Sequence, residues 1–332
     1  MKLSIGIIGL PNVGKSTLFQ MLTKQEVNIA NYPFATIDPN VGIVEVPDSR
    51  IDALAKVSQS QKKIYAAIEF YDIAGLVRGA YKGEGLGNQF LSHIRNVEAL
   101  VQIVRCFPQN DIVHIEGSVD PLRDIEIIEM ELIFKDLETV SKRMEKLISE
   151  VRGGSKQAKI DLEVLEKAKK ILEEGKLLYP LKEEKIIKEL QLLTAKPQIL
   201  LFNGKKEYVD EKILEKINRD FGFKFLFFDL KNSNNLSPLI QLSYEILDLI
   251  SFFTTGEDET RAWTIKKGTK APEAAGVIHS DFEKGFIRAE VINWEKLIEA
   301  QGWNNAKQKG WIRLEGKEYI VKDGDVLLIR HN

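Results

Sequence analysis

The chain is poor in cysteine, in histidine and in long apolar runs, and each shortage removes a class of function. A single cysteine, Cys106, stands among 332 residues. One thiol supports neither an intramolecular disulfide nor a cysteine-based zinc site, which fits a reducing compartment and a small buried apolar role for Cys106. No stretch approaches the roughly 18 apolar residues of a membrane-crossing helix. Met1-Lys2-Leu3 runs directly into a strand-like segment, leaving no room for a signal peptide. A cytoplasmic location without membrane attachment is therefore expected. An excess of either charge is also missing, since 47 Lys and Arg face 49 Asp and Glu. So balanced a chain is not a general coat for nucleic acid, and any charged interface must be local.

What is present is phosphate chemistry. Gly9-Leu10-Pro11-Asn12-Val13-Gly14-Lys15-Ser16 completes the pattern G-x-x-x-x-G-K-[ST] between the apolar run Leu3–Ile8 and a helical run that starts at Ser16. A strand before and a helix behind are the context in which this pattern cradles a polyphosphate. Gly9 and Gly14 let the backbone turn tightly and approach the anion with its N–H groups, and the helix adds its electropositive N-terminus. Asn12, Val13, Gly14, Lys15, Ser16 and Thr17 are thus the expected nucleotide contacts. Lys15 carries positive charge to the β- and γ-phosphates, a catalytic role, and the Ser16 hydroxyl is a ligand for Mg²⁺.

Two further segments extend the site. Asn31–Asn40 holds two prolines and no helical period, and its Thr36 is a candidate to close on Mg²⁺ and the γ-phosphate. Strand-like Ala67–Asp72 ends in Asp72-Ile73-Ala74-Gly75, a D-x-x-G arrangement in which Asp72 holds Mg²⁺ through water and the Gly75 N–H meets the γ-phosphate. Dense glycines from Gly79 to Gly87 suit a mobile switch. Where Ras-like enzymes orient the attacking water with glutamine, this chain has Leu76, which can neither donate nor accept. Of the four histidines, His114 follows the strand Ala99–Arg105 and is the candidate to orient that water, set against a surface or structural role.

Downstream, Met130, Ile133, Leu137, Val140, Met144, Leu147 and Val151 follow alternating three-four spacing, broken at Arg152–Ser155 and resumed by Leu162, Leu165, Ala168 and Leu172. An antiparallel helical hairpin is expected. Strand-like Pro197–Asn203 then ends where guanine-binding proteins carry N-K-x-D, but here the chain reads Asn203-Gly204-Lys205-Lys206. Asn203 is the expected base contact, while Lys206 has no acceptor for guanine's N1–H and 2-amino groups. Beyond Arg261, short β-like segments at Ala262–Ile265, Phe286–Val291, Tyr319–Val321 and Val326–Ile329 suit a small α+β module. Its aromatics interleaved with Lys and Arg serve either an RNA contact or simply a core.

These motifs carry a resemblance. The phosphate loop, Asn31–Asn40 and Asp72–Val77 resemble the Obg-related P-loop proteins, and Gly83–Leu91 with Ala275–Ala289 resembles the YchF group within it, the Obg-like ATPases. The resemblance implies an α/β fold in parts: a P-loop NTPase domain at 1–123 and 196–256, an inserted α-helical coiled-coil hairpin at 124–195, and a C-terminal α+β TGS domain of β-grasp type at 261–332. It also implies ATP in preference to GTP, slow Mg²⁺-dependent hydrolysis, and association with the ribosome, through its large subunit. RNA contacts would come through the hairpin and the TGS domain. A leucine in place of the catalytic glutamine and a histidine in the loop of His114 are marks of the group, and Asn12 matches an asparagine that holds K⁺ in related members. Lys206 departs from the group's Asn-x-x-Glu. A GTPase of the same architecture, and a ribosome- or RNA-binding adaptor with structural nucleotide, are the competing expectations.

Overall fold

The computed structural model describes residues 3–24, 40–73, 94–107, 117–233 and 235–332. Thr36, Gly75, Leu76 and His114 lie outside the described residues. In chain order come β1 (Ser4–Ile8), α1 (Lys15–Thr23), β2 (Val41–Glu45), α2 (Ser49–Ser58), β3 (Lys62–Ile64), β4 (Ala67–Asp72) and β5 (Ala99–Arg105). Two long helices follow, α3 (Pro121–Arg152) and α4 (Lys156–Glu173), then β6 (Gln198–Asn203), α5 (Glu211–Asp220), β7 (Lys224–Phe228) and α6 (Ser237–Ile246). The rest comprises β8 (Leu249–Thr255), β9 (Glu259–Lys266), α7 (Ala271–Ile278), β10 (Phe286–Asn293), α8 (Trp294–Glu299), β11 (Arg313–Glu315) and β12 (Asp325–His331), with short helical turns between. Two compact units emerge. The first takes its described residues from Met1–Glu26, Thr36–Ile43 and Glu69–Leu236, and the second from Val44–Ile68 and Ser237–Asn332.

The first unit is organised by a sheet of order β2-β4-β1-β5-β6-β7. Its β1 runs parallel to β4 and β5, with Ile7 beside both Asp72 and Val101, and β6 and β7 continue the parallel set. Every residue of β1, β5 and β6 is buried. Strands covered on both faces are predominantly apolar without alternation, although these bury Ser4, Gln102, Arg105, Gln198 and Asn203 as well. The chain winds outward to both sides of β1, and the loops at the carboxyl ends of β1, β5, β6 and β7 therefore open on the crevice where such sheets bind ligands.

The hairpin forms as its spacing predicts. Asp120 accepts the Arg123 N–H and Pro121 opens α3, while the Ser155 hydroxyl accepts the Ala158 N–H at the start of α4. Ile133, Val140 and Leu147 bury against Leu165, Ala168 and Leu172. Met130, expected in the same seam, is 40 % exposed instead. A straight helix drifts by about 20° per heptad, and near its root α3 buries Ile125, Ile128 and Leu132 instead. That root is pinned by Asp136, fully buried, whose carboxylate accepts from Leu193 N, Thr194 N and Thr194 Oγ1 at 2.9, 2.8 and 2.7 Å. The residues it grips lead directly into β6 and so to Asn203.

The second unit carries a mixed sheet of order β11-β10-β12-β8-β9-β3. Phe252, Ile265, Ala274, Phe286 and Val291 form its core. The β-like segments at Ala262–Ile265, Phe286–Val291 and Val326–Ile329 fall within β9, β10 and β12. Tyr319–Val321 does not become a strand, since only Ile320 makes an isolated bridge, to Lys270. Trp263 stacks on Phe252 and its indole N–H donates to Thr254 Oγ1, so this aromatic serves the core. The apolar run Leu236–Leu249 reads in sequence as one helix, but α6 ends at Ile246 and β8 begins at Leu249. Asp248 takes φ 53°, a left-handed conformation that ends helical continuation and starts a strand. No helix among the described residues is long and apolar enough to cross a membrane.

Candidate nucleotide site

A cavity of about 690 Å³ opens at the carboxyl ends of β1, β5, β6 and β7. At one end stands the phosphate loop. Gly14 precedes α1 with φ 111°, a conformation that side chains rarely adopt, and a Cβ there would lie 2.7 Å from Asn203 Nδ2. Glycine is thus required both by torsion and by contact. The first turn of α1 has no acidic residue and no side-chain cap, so its N–H groups are left for an anion. Asn12, Gly14, Lys15, Ser16 and Thr17 all line the cavity. Val13 does not line it. Its side chain is buried and its carbonyl accepts the Asn203 Nδ2–H at 2.9 Å.

Lys15 donates to Gly9 O at 2.9 Å and Leu10 O at 2.8 Å, which holds the ammonium at the loop. Burial pulls its pKa down to about 8, against the opposing charge of Asp72. Burial likewise raises the Asp72 pKa, with Lys15 opposing. Each group therefore holds its charge partly through the other. A hydroxyl and a carboxylate are hard oxygen donors of the kind Mg²⁺ takes, directly or through water, so Ser16 and Asp72 fit that ion. Among the described residues no group of three His, Cys, Asp or Glu could hold a metal.

The other end is assembled from separate strand ends: Phe107 after β5, Gly204, Lys205 and Tyr208 after β6, and Asp229, Leu230, Lys231 and Asn232 after β7. Asn203 ties them together. Its Nδ2 reaches the phosphate loop at Val13, and its Oδ1 accepts the Leu230 N–H at 3.3 Å. Gly204 has φ 140°, and a Cβ there would lie 2.6 Å from Cys106 Sγ, so the bare backbone lets the Cys106-Phe107 segment close against this loop. Cys106 is a buried residue, as expected, with its thiol pushed up to about 12 by burial.

Sequence reasoning placed Asn12, Gly14, Lys15, Ser16, Thr17 and Asn203 together, and all six line one cavity. Asp72 stands close enough to Lys15 for their charges to interact. It missed the wall from Phe107, Lys205, Tyr208 and Asp229–Asn232. The signal available was positional, because a residue just beyond a parallel strand's carboxyl end is a candidate whatever its type. Lys206, singled out as the replaced carboxylate, is not among the lining residues, and neither is Glu207.

Comparison with known proteins follows this geometry. Residues 4–133 match the family model described as 50S ribosome-binding GTPase, and residues 249–332 match YchF-GTPase_C, described as a protein of unknown function. The chain is 46 % identical to the ribosome-binding ATPase YchF of Bacillus subtilis, over 100 % of both chains. It is 41 % identical to the Obg-like ATPase 1 of Bos taurus, covering 99 % of this chain and 92 % of that one. A solved structure, of the Schizosaccharomyces pombe YchF GTPase, superposes with TM-score 0.86 at 39 % identity, covering 99 % of this chain and 98 % of that one.

Proposed function

The chain belongs to the YchF and Obg-like ATPase family of ribosome-binding P-loop NTPases, and on that premise we propose that it is a ribosome-associated switch that binds Mg·ATP and hydrolyses it slowly. Its parts are those of the family: a P-loop GTPase-type domain, a helical insertion and a C-terminal TGS-like domain. The observation that carries the reading is the single cavity in which the phosphate loop, Lys15 and Asn203 converge.

In this reading the α1 N-terminus and Lys15 hold the β- and γ-phosphates, and Ser16 and Asp72 hold Mg²⁺, with Thr36 and Gly75 as the expected closing groups. The ion supplies neutralisation of charge that develops on the phosphates. His114 orients water where Leu76 cannot. Asn12 serves K⁺, and equal activity in Na⁺ and K⁺ buffers would remove that role. The ribosomal partner is the large subunit, with RNA met through the hairpin and the C-terminal domain. In that domain Lys309 lies over the Trp311 ring at 4.4 Å, a pairing of cation and aromatic that suits RNA.

A GTPase is the second reading, favoured by one observation: Asp229 places a carboxylate in the cavity wall, and guanine recognition uses such an acceptor. Equilibrium binding of fluorescent ATP and GTP analogues, each competed with unlabelled nucleotide in Mg²⁺, separates the two. Tighter ATP binding with phosphate release stimulated by large subunits is the expected result; tighter GTP binding replaces the first reading with the second. No turnover with subunits present would leave an adaptor holding structural nucleotide.

A further inference from the structure

Three positions beyond Asn203 stands Lys206, which carries no acceptor and lies outside the cavity wall. A carboxylate that reads the base has to come from another part of the wall. Asn203 is only 6 % exposed, and its amide already spans from Val13 O to Leu230 N. It holds the two ends of the site together, with one N–H and one Oδ1 lone pair committed to that bridge.

The described lining contains one carboxylate, Asp229. Chain topology brings it beside the altered motif, since Asn203 pairs with Phe228 across β6 and β7 and Gly204 N donates to Phe228 O at 3.1 Å. Asp229 therefore stands next to Gly204-Lys205, although the 25 positions that separate it from Gly204 along the chain would hide this from a motif search. Its carboxylate is already oriented: one oxygen accepts the Lys231 N–H at 3.1 Å, the other accepts Asn232 Nδ2–H at 2.7 Å. The bond from Asn232 comes first among the causes that hold its pKa below the ordinary value, so it is ionised at neutral pH. The Asn232 backbone N–H and the Lys205 charge also act on this carboxylate; its two oxygens offer about four acceptor sites in all, which leaves capacity for a donor in the cavity.

On the reading of this cavity as a nucleotide site, we infer that Asp229 is the acceptor for the exocyclic amino group of the bound base, a specificity residue supplied from the carboxyl end of β7. A purine without an amino group leaves this carboxylate facing no donor, and the loss of one hydrogen bond to a charged acceptor is worth about tenfold or more in affinity. The competing role for Asp229 is to close its own turn, and the test must separate the two.

Wild type and Asp229→Ser, which retains a hydroxyl that can accept from Lys231 N, are compared in equilibrium binding of four nucleotides. ATP and purine riboside triphosphate differ only by the 6-amino group, and GTP and ITP only by the 2-amino group. Wild type should prefer ATP to purine riboside triphosphate by about tenfold or more, and Asp229→Ser should erase that preference by weakening ATP alone. Should the serine variant unfold, Asp229→Asn, of the same size, must narrow the same gap. If the gap and its loss appear only in the GTP and ITP pair, Asp229 keeps its role and the ATP reading falls. Equal weakening of all four nucleotides leaves Asp229 as a turn residue only and overturns the inference, as does no change at all.

Discussion

At the phosphate-loop end of the cavity Gly9 to Thr17 form one continuous piece of chain, whereas the other end collects Phe107, Asn203 to Lys205, Tyr208 and Asp229 to Asn232 from the ends of three strands. The first end presents backbone N–H groups, a helix terminus and one cation, and these follow from the loop itself. The second works through side chains whose neighbours are set by how β5, β6 and β7 lie side by side. A continuous loop tolerates little change of residue type but needs little from the rest of the molecule. An assembled wall is the reverse, because any oxygen or nitrogen that the sheet delivers to the right place can serve.

The largest expected effect lies at the continuous end. Lys15→Ala removes the cation that meets developing phosphate charge, and should lower triphosphate turnover by about 10²–10³-fold in a phosphate-release assay, with ATP and GTP binding both weakened. Retained affinity would break the comparison at its root.

Next comes the residue that joins the ends. Asn203→Ala takes away the donor to Val13 O and the acceptor of Leu230 N, leaving buried groups unpaired at about 1–3 kcal/mol of folding stability. Urea unfolding should register this, and binding should fall for adenine and guanine nucleotides alike, because both ends loosen together.

Titration separates the ends again. Lys15 in the free protein has its pKa lowered to about 8 by burial, and a bound polyphosphate favours the charged ammonium, so the bound pKa is higher. Affinity should be level below pH 8 and fall above it by up to about tenfold per pH unit, with a proton taken up on binding in that range. Isothermal titration in buffers of different ionisation enthalpy checks the uptake. Asp229→Ser should leave this profile in place, since Asp229 acts at the other end.

The smallest effect is expected at Lys206. Lys206→Glu restores the family's residue type at a position outside the wall, and affinity for ATP and GTP should stay within about twofold, in the range of ordinary surface substitutions. A large gain in ATP affinity would show that the side chain reaches the base after all, and would shift the weight from Asp229 back to the motif.

The amino-acid sequence by itself determined what depends on neighbours along the chain. The phosphate loop is legible because its turn, its helix N-terminus and its lysine are local; β5 and β6 are legible because two-sided burial favours predominantly apolar runs; the hairpin is legible because its seam repeats at helical spacing, with Ser155 capping α4. Even here the limits are physical: Met130 keeps the heptad spacing yet faces outward, and Leu249 continues an apolar run yet begins β8 after Asp248 turns the chain. What only the tertiary structure decided is which distant residues share a wall. The register of β6 with β7 puts Asp229 beside Gly204 while Lys206 falls outside the lining. The Asn203 amide bridges Val13 and Leu230 only once the sheet has formed. Contacts of that kind arise from strand pairing between segments far apart in the chain, and residue type at any one position carries no trace of them.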